Sequence, residues 1–222
     1  MRRKQKNYKP LIYVFCEGES EEAYANFLKN SFRDVAVIKS DVDLGLFEYA
    51  QKKFNKNQSY KNSISETDEI WFFFDLETKD IPKWNERMKI VNKLRKLRKK
   101  DGIKVRLLMT TGCIEYWFML HYKYYNPPLQ TVTQKEHVIH QLKTLEKNYA
   151  KGDSTSIEKI AINYPNAIIN AKKTVSNLLK DGLPTIEDTE ERNHWLYVNC
   201  KTFSNVYEAI DYLIQLKDAN NN

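Results

Sequence analysis

Six consecutive apolar or aromatic positions, Leu11-Ile12-Tyr13-Val14-Phe15-Cys16, run straight into Glu17-Gly18-Glu19-Ser20-Glu21. An unbroken run this short, rich in β-branched and aromatic residues, is the pattern of a strand buried on both faces, as in a parallel sheet. Ser20 followed by Glu21 and Glu22 reads as the capped, acidic first turn of a helix extending to about Asn30. The alternation then recurs. Residues 35–38 predict a second strand, and Leu44, Phe47, Ala50 and Phe54 share one face of a second helix. Residues 55–68 are polar and aperiodic and predict a loop. Residues 70–74 predict an intensely apolar strand ending at Asp75-Leu76-Glu77; Pro82 starts a helix running to about Lys100, and residues 104–109 form another strand. This alternation predicts an α/β fold, a parallel sheet with right-handed crossovers and helices on both faces.

The second half reads differently. Residues 113–125 predict a dense aromatic helix stopped by Pro127-Pro128, followed by helices over 133–149, 156–179 and 205–216, a short strand over 195–198 and a frayed polar tail from Asp218. The expected organisation is an α/β core over 8–125 with a helical C-terminal extension over 126–217 packed on it as one compact unit.

Composition narrows the partners. Lys and Arg number 36 against 29 Asp and Glu, a formal charge of +7, which favours anionic partners, nucleic acid before membrane surface. Three cysteines without CxxC spacing, Cys16, Cys113 and Cys200, read as buried reduced thiols. The apolar run after the basic start is too short for a signal peptide, and no later segment is long enough to cross a bilayer. The expectation is a soluble cytoplasmic protein with no membrane association.

The chemistry lies in the acids at strand ends. Glu17 closes the first strand, Glu21 lies in the following helical turn, Asp75 and Glu77 close the strand of Trp71, and Glu115 follows the next strand at the mouth of its helix. In a parallel sheet all five gather at the carboxyl-terminal edge, where open α/β sheets build their sites. Asp75 and Glu77, two apart in extended chain, are expected on the same side. Converging carboxylates repel unless a cation sits among them, and oxygen donors of this kind suit one or two Mg²⁺ or Mn²⁺ ions. The basic run of residues 93–100, including Arg95, Lys96 and Lys99, reads plainly as a solvated helix face. Together with Lys83 and Arg87 it would instead track a phosphate backbone, making nucleic acid the partner. No Gly-rich phosphate loop and no Ser-His-Asp arrangement is present.

Glu17-Gly18 at the end of the first strand, with an Asp-x-Asp-like element at Asp75 and Glu77, resembles a TOPRIM domain of Rossmann-like fold. Residues 14–19, 71–75, the stretch Thr111-Gly112-Cys113-Ile114-Glu115-Tyr116-Trp117 to His121, Tyr149-Ala150-Lys151-Gly152-Asp153, and an element near 202–209 together resemble the RloB-like family, relatives of abortive-infection proteins. Three features depart from that pattern: Glu77 replaces the second aspartate, Thr111-Gly112 replaces an Asn-Pro, and the late element near 202–209 is diverged. The resemblance implies a metal-dependent nuclease that hydrolyses phosphodiesters of DNA or RNA in antiphage defence. Asp75, Glu77 and Glu21 would hold the metal, Glu115 would complete the shell, and Glu17 would ligate metal or move a proton. TOPRIM nucleases of the overcoming-lysogenization type carry a Glu-x-x-x-Glu pair, matched by Glu17 and Glu21, and often a distant assisting lysine, for which Lys201 is the candidate. The resemblance also implies an AAA- or ABC-type ATPase partner. The sequence sets no oligomeric state and leaves room for an oligomer. The competing readings are a non-catalytic module regulating that ATPase and a nucleotidyl-transfer enzyme.

Overall fold

The computed structural model describes residues 8–221, so the basic start and Asn222 lie outside the described residues. Strands β1 (Leu11–Cys16), β2 (Val37–Val42), β3 (Thr67–Leu76) and β4 (Lys104–Thr111) form one sheet in the order β2-β1-β3-β4, with every neighbouring pair parallel. Helix α1 (Glu19–Ser31) leads from β1 to β2; α2 (Leu46–Lys56) and α3 (Gln58–Ser63) lead back across β1 to β3. A 3-10 turn (Thr78–Lys83) and α4 (Trp84–Arg95) lead on to β4. The chain therefore reverses its direction across the sheet between β1 and β3, the switch point at which such folds leave a crevice beyond the strand ends.

Residue parity explains why β3 is so apolar. Phe72 and Phe74 point to the face carrying Phe47 of α2, at ring separations of 4.2 and 5.4 Å. Trp71 and Phe73 point to the other face, against Tyr212 and against Tyr24 of α1. All four are at most 1% exposed. A central strand covered on both sides has no polar face to alternate with, and each such burial stabilises by about 1.5–3 kcal/mol.

The second half is helical: α5 (Ile114–Leu120), α6 (Val132–Leu145), α7 (Ser154–Ala161), α8 (Tyr164–Asn177), a 3-10 turn (Leu178–Asp181), α9 (Glu190–Asn199) and α10 (Tyr207–Asn221). α7 packs on α1, α6 and α8 pack on α5, and α10 packs on β4 and α8. One cluster of buried apolar side chains runs through both halves. The segment before α10 also closes the outer edge of β4. The Asn205 side chain accepts the Met109 N–H and donates to the Leu107 carbonyl, and Ser204 bridges Thr110, so this edge does not offer an open row of backbone groups. Cys16, Cys113 and Cys200 are free and buried, and among the described residues no helix is long and apolar enough to cross a membrane.

Several sequence expectations are corrected. Strand β2 starts at Val37 and continues through the polar Lys39-Ser40-Asp41, because it is an edge strand pairing only with β1. The expected loop over 55–68 contains α3, capped by Asn57, whose side chain accepts the Ser59 N–H at 3.0 Å. Helix α4 stops at Arg95, and the chain turns back through Asp101 and Gly102, both at positive φ. Helix α5 ends at Leu120, well short of Tyr125. The single helix expected over 156–179 is two, the second begun by Pro165 in its first turn. The expected strand at Trp195 lies within α9, capped by Thr189, and α10 continues through the expected polar tail to Asn221.

Candidate metal-binding site

The ends of β1 and β3 lie side by side and carry the acids. The Glu17 N–H donates to the Phe73 carbonyl at 3.0 Å, and Glu17 Oε2 accepts the Asp75 N–H at 3.0 Å, which seats this carboxylate on the tip of β3. Gly18 then caps α1. A Cβ there would stand 3.0 Å from Glu21 Oε2, so Glu21 folds back from the first helical turn closely over the bare Gly18 backbone. The turn into α5 has a similar demand. Gly112 sits at φ +81°, where a Cβ would meet the Leu129 carbonyl oxygen at 2.8 Å, which accounts for glycine at this departure from the Asn-Pro pattern. That turn places Glu115 in the first turn of α5, where its Oε1 accepts the Tyr149 hydroxyl at 2.9 Å. Both helical acids lie where the helix macrodipole favours negative charge.

The electrostatics are those of crowded carboxylates. Burial pushes the Glu21 carboxyl up to about 7, with Glu17 and Glu115 adding to it. Burial, then Glu21, Glu17 and Glu115, push Asp75 well above the usual carboxylate range. Burial also raises Glu17. The Lys151 ammonium works against this at both Glu21 and Asp75. Among the described residues, two buried side-chain oxygens have no hydrogen-bond partner: Asp75 Oδ1 and Glu115 Oε2. An unsatisfied buried acceptor costs about 1–3 kcal/mol, so a pair of them in one cluster calls for an account.

The cleft above these groups has a volume of about 190 Å³ and is lined by Glu17, Gly18, Glu21, Asp75, Glu77 and Lys151, among others. A larger cavity of about 570 Å³ lies beside the start of β4, but most of its charged side chains are already paired, Lys104 and Arg106 with Asp188, Lys172 with Asp211 and Glu208 with Arg192. Asp75, with one of the unpaired oxygens, lines the smaller cleft, and buried Glu115, with the other, lies behind that lining, close enough to raise the carboxyls of Glu21 and Asp75. Among the described residues, no three His, Cys, Asp or Glu side chains stand at closed ligand spacing. The donor set nonetheless suits a hard divalent ion in kind, since it is all oxygen, densely negative and partly unsatisfied.

Glu77 has a different environment. Its Oε1 is held by Lys135 of α6 and its Oε2 by Lys79 at 2.6 Å. Burial pulls its carboxyl up, but the two lysines outweigh that and bring it below its ordinary value. Lys201 is exposed, outside the cleft lining, and its carbonyl accepts the Thr111 hydroxyl at 2.6 Å.

The basic candidates do not form one track. Arg87, expected to face phosphate, instead packs inside: it donates to Asp80 and to the Tyr197 hydroxyl and lies over Phe47 and Phe74. Lys83 also pairs with Asp80. Because α4 runs away from the carboxyl edge, Arg95 lies near the opposite edge, paired with Glu190, and exposed Lys96 and Lys99 follow the helix end. Neighbouring Arg98 reaches Asp68, seven residues before Asp75 on β3. At about 3.3 Å per residue that is roughly 23 Å from the acidic cleft.

Two residues at the site, Tyr149 and Lys151, belong to the family resemblance in the sequence but carried no expected role at the site. Gly152, at φ +76°, donates its N–H to Ser20 Oγ at 3.0 Å and thereby ties this loop to the start of α1. Ser20 was expected to cap the helix; Gly18 is the cap and Ser20 serves the loop. The available signal was the Lys-Gly-Asp turn itself, with Asp153 accepting the Ser156 N–H at the head of α7.

The fold and the cleft together define a Rossmann-like α/β protein with a carboxylate cluster at its topological switch point. Residues 12–213, which include every cleft residue named above, match the family described as RloB-like protein, and the chain belongs to that family. No curated protein sequence matches the chain.

Proposed function

We propose that this RloB-like protein is a TOPRIM-type, Mg²⁺- or Mn²⁺-dependent nuclease. The observation that carries the reading is the pair of partnerless buried oxygens, Asp75 Oδ1 and Glu115 Oε2, within a carboxylate cluster whose protons are held unusually tightly. Asp75, Glu21, Glu115 and Glu17 are the residues that would hold the ion. A bound divalent ion supplies polarisation of the scissile phosphate and a water acidic enough to ionise near neutrality. Glu17, raised by burial and open to the cleft, is suited to take a proton from that water. Tyr149 holds Glu115 in place, and Lys151 offers the cleft a cation for the substrate phosphate. Lys151 thus replaces Lys201 as the assisting lysine. Membership of the family also supports a role in antiphage defence beside an AAA- or ABC-type ATPase, acting in the cytoplasm. A non-catalytic module regulating that ATPase is the second reading, favoured by the engagement of Glu77 with two lysines.

The test is incubation of the purified protein with Mn²⁺ and single-stranded DNA, duplex DNA or tRNA, with and without the ATPase. At least one substrate is expected to be cut, and Asp75→Asn to abolish the cutting. Intact substrate in every combination would leave the non-catalytic module.

A further inference from the structure

We infer that Lys79 and Lys135 form a phosphate seat beside the acidic cleft, taken in this structure by the carboxylate of Glu77. The inference deepens the nuclease reading and rests on it only in assigning the phosphate to a nucleic-acid strand.

The two lysines come from unrelated segments, the 3-10 turn after β3 and helix α6, yet each binds a different oxygen of the same carboxylate. The Lys135 side chain is only 20% exposed. A lysine whose stem is mostly covered has few places to put its head, so the helical half presents a cation at this point, and Glu77 meets it. Carboxylate and phosphate oxygens are equivalent acceptors for an ammonium donor. Around the pair lies a cleft of about 220 Å³ that Thr78 and Gln130 also line, adding side chains able to donate hydrogen bonds. Glu77 and Lys79 line both this cleft and the acidic one, so the two are neighbours sharing those side chains. A strand whose phosphate displaced Glu77 would lie directly beside Asp75 and Glu17. Glu77 therefore acts as an internal competitor that a backbone phosphate must evict.

The seat is tested without metal, in EDTA, by fluorescence anisotropy of a short labelled single-stranded DNA at low salt. Glu77→Gln keeps the side-chain shape and removes the competing charge. It is expected to bind about tenfold more tightly than the unaltered protein, the size of one charge-assisted contact. The gain should shrink as salt rises and vanish in the double variant Glu77→Gln, Lys135→Met. Glu187→Gln, which changes net charge equally at the distant cavity, should leave affinity unchanged. Equal gains from Glu77→Gln and Glu187→Gln, or a gain that survives Lys135→Met, would overturn the seat. Thermal melts accompany each variant, and Lys79→Met in the Glu77→Gln background gives a second route to the same answer if Lys135→Met fails to fold. Because no cleavage is read, a negative result leaves the nuclease proposal standing, and failure of the nuclease assay leaves the seat standing.

Discussion

In EDTA at pH 7.5, Glu21→Gln and Asp75→Asn are expected to melt above the unaltered protein, and the gap should widen as pH rises. Both carboxyls bind their protons more tightly in the folded chain than in the unfolded one. The folded state is then favoured while the groups are protonated, below their unfolded values near 4, and loses that advantage as pH climbs through the folded values. For Glu21 the climb is from 4.5 to about 7, on the order of 3 kcal/mol. A chain of this length gains roughly 2–4 °C per kcal/mol. The variants escape the loss because an amide carries no charge to desolvate. Differential scanning fluorimetry between pH 4.5 and 8 measures the gap. A gap that is flat with pH, or variants that melt lower throughout, would make these acids structural.

Lys151→Met should lower cleavage by about a hundredfold, toward the lower end for loss of a positioned cation because Lys151 is exposed on its loop. The same change removes the charge that draws down Glu21 and Asp75, so their protons should be held still more tightly and Mn²⁺ binding should need a higher pH. Two readouts thus move together, rate and the pH midpoint of metal binding. Lys201→Met should move neither. A lower rate with an unmoved midpoint would separate Lys151 from the carboxylates. If neither changed, the residue would be an ordinary loop lysine.

Legibility in the sequence followed the range of the interactions. Strand β1 and the centre of β3 were readable because a doubly covered strand is apolar along its middle, as Phe15, Phe72, Phe73 and Phe74 are. The polar start of β3 at Thr67-Asp68 read as loop. Glu17, Glu21, Asp75 and Glu115 were readable because a parallel sheet brings all its strand ends to one edge, whatever the loops do. What failed depended on distant partners. Parity put Glu77 with Asp75, and both line one cleft, but the engagement of its carboxylate by Lys135, 58 residues away, could not be read. Ser20 looked like a cap because its true partner, Gly152, is 132 residues away. Arg87 carried the same charge as a phosphate contact, and only the fold revealed that Asp80, Tyr197 and two phenylalanine rings surround it. Trp195-Leu196-Tyr197-Val198 had a strand's composition, yet Thr189 caps a helix that runs through it.

The measurement that bears most directly on the carboxylate cluster as a metal centre is calorimetric titration of Mn²⁺ into the protein at pH 7.5, repeated in buffers of different ionisation heat. Glu21 and Asp75 hold their protons tightly, and a metal ion must displace them. Saturable binding of one or two ions with net proton release is therefore predicted, and Asp75→Asn should remove it. No saturable binding, or binding unchanged by Asp75→Asn, would contradict the assignment.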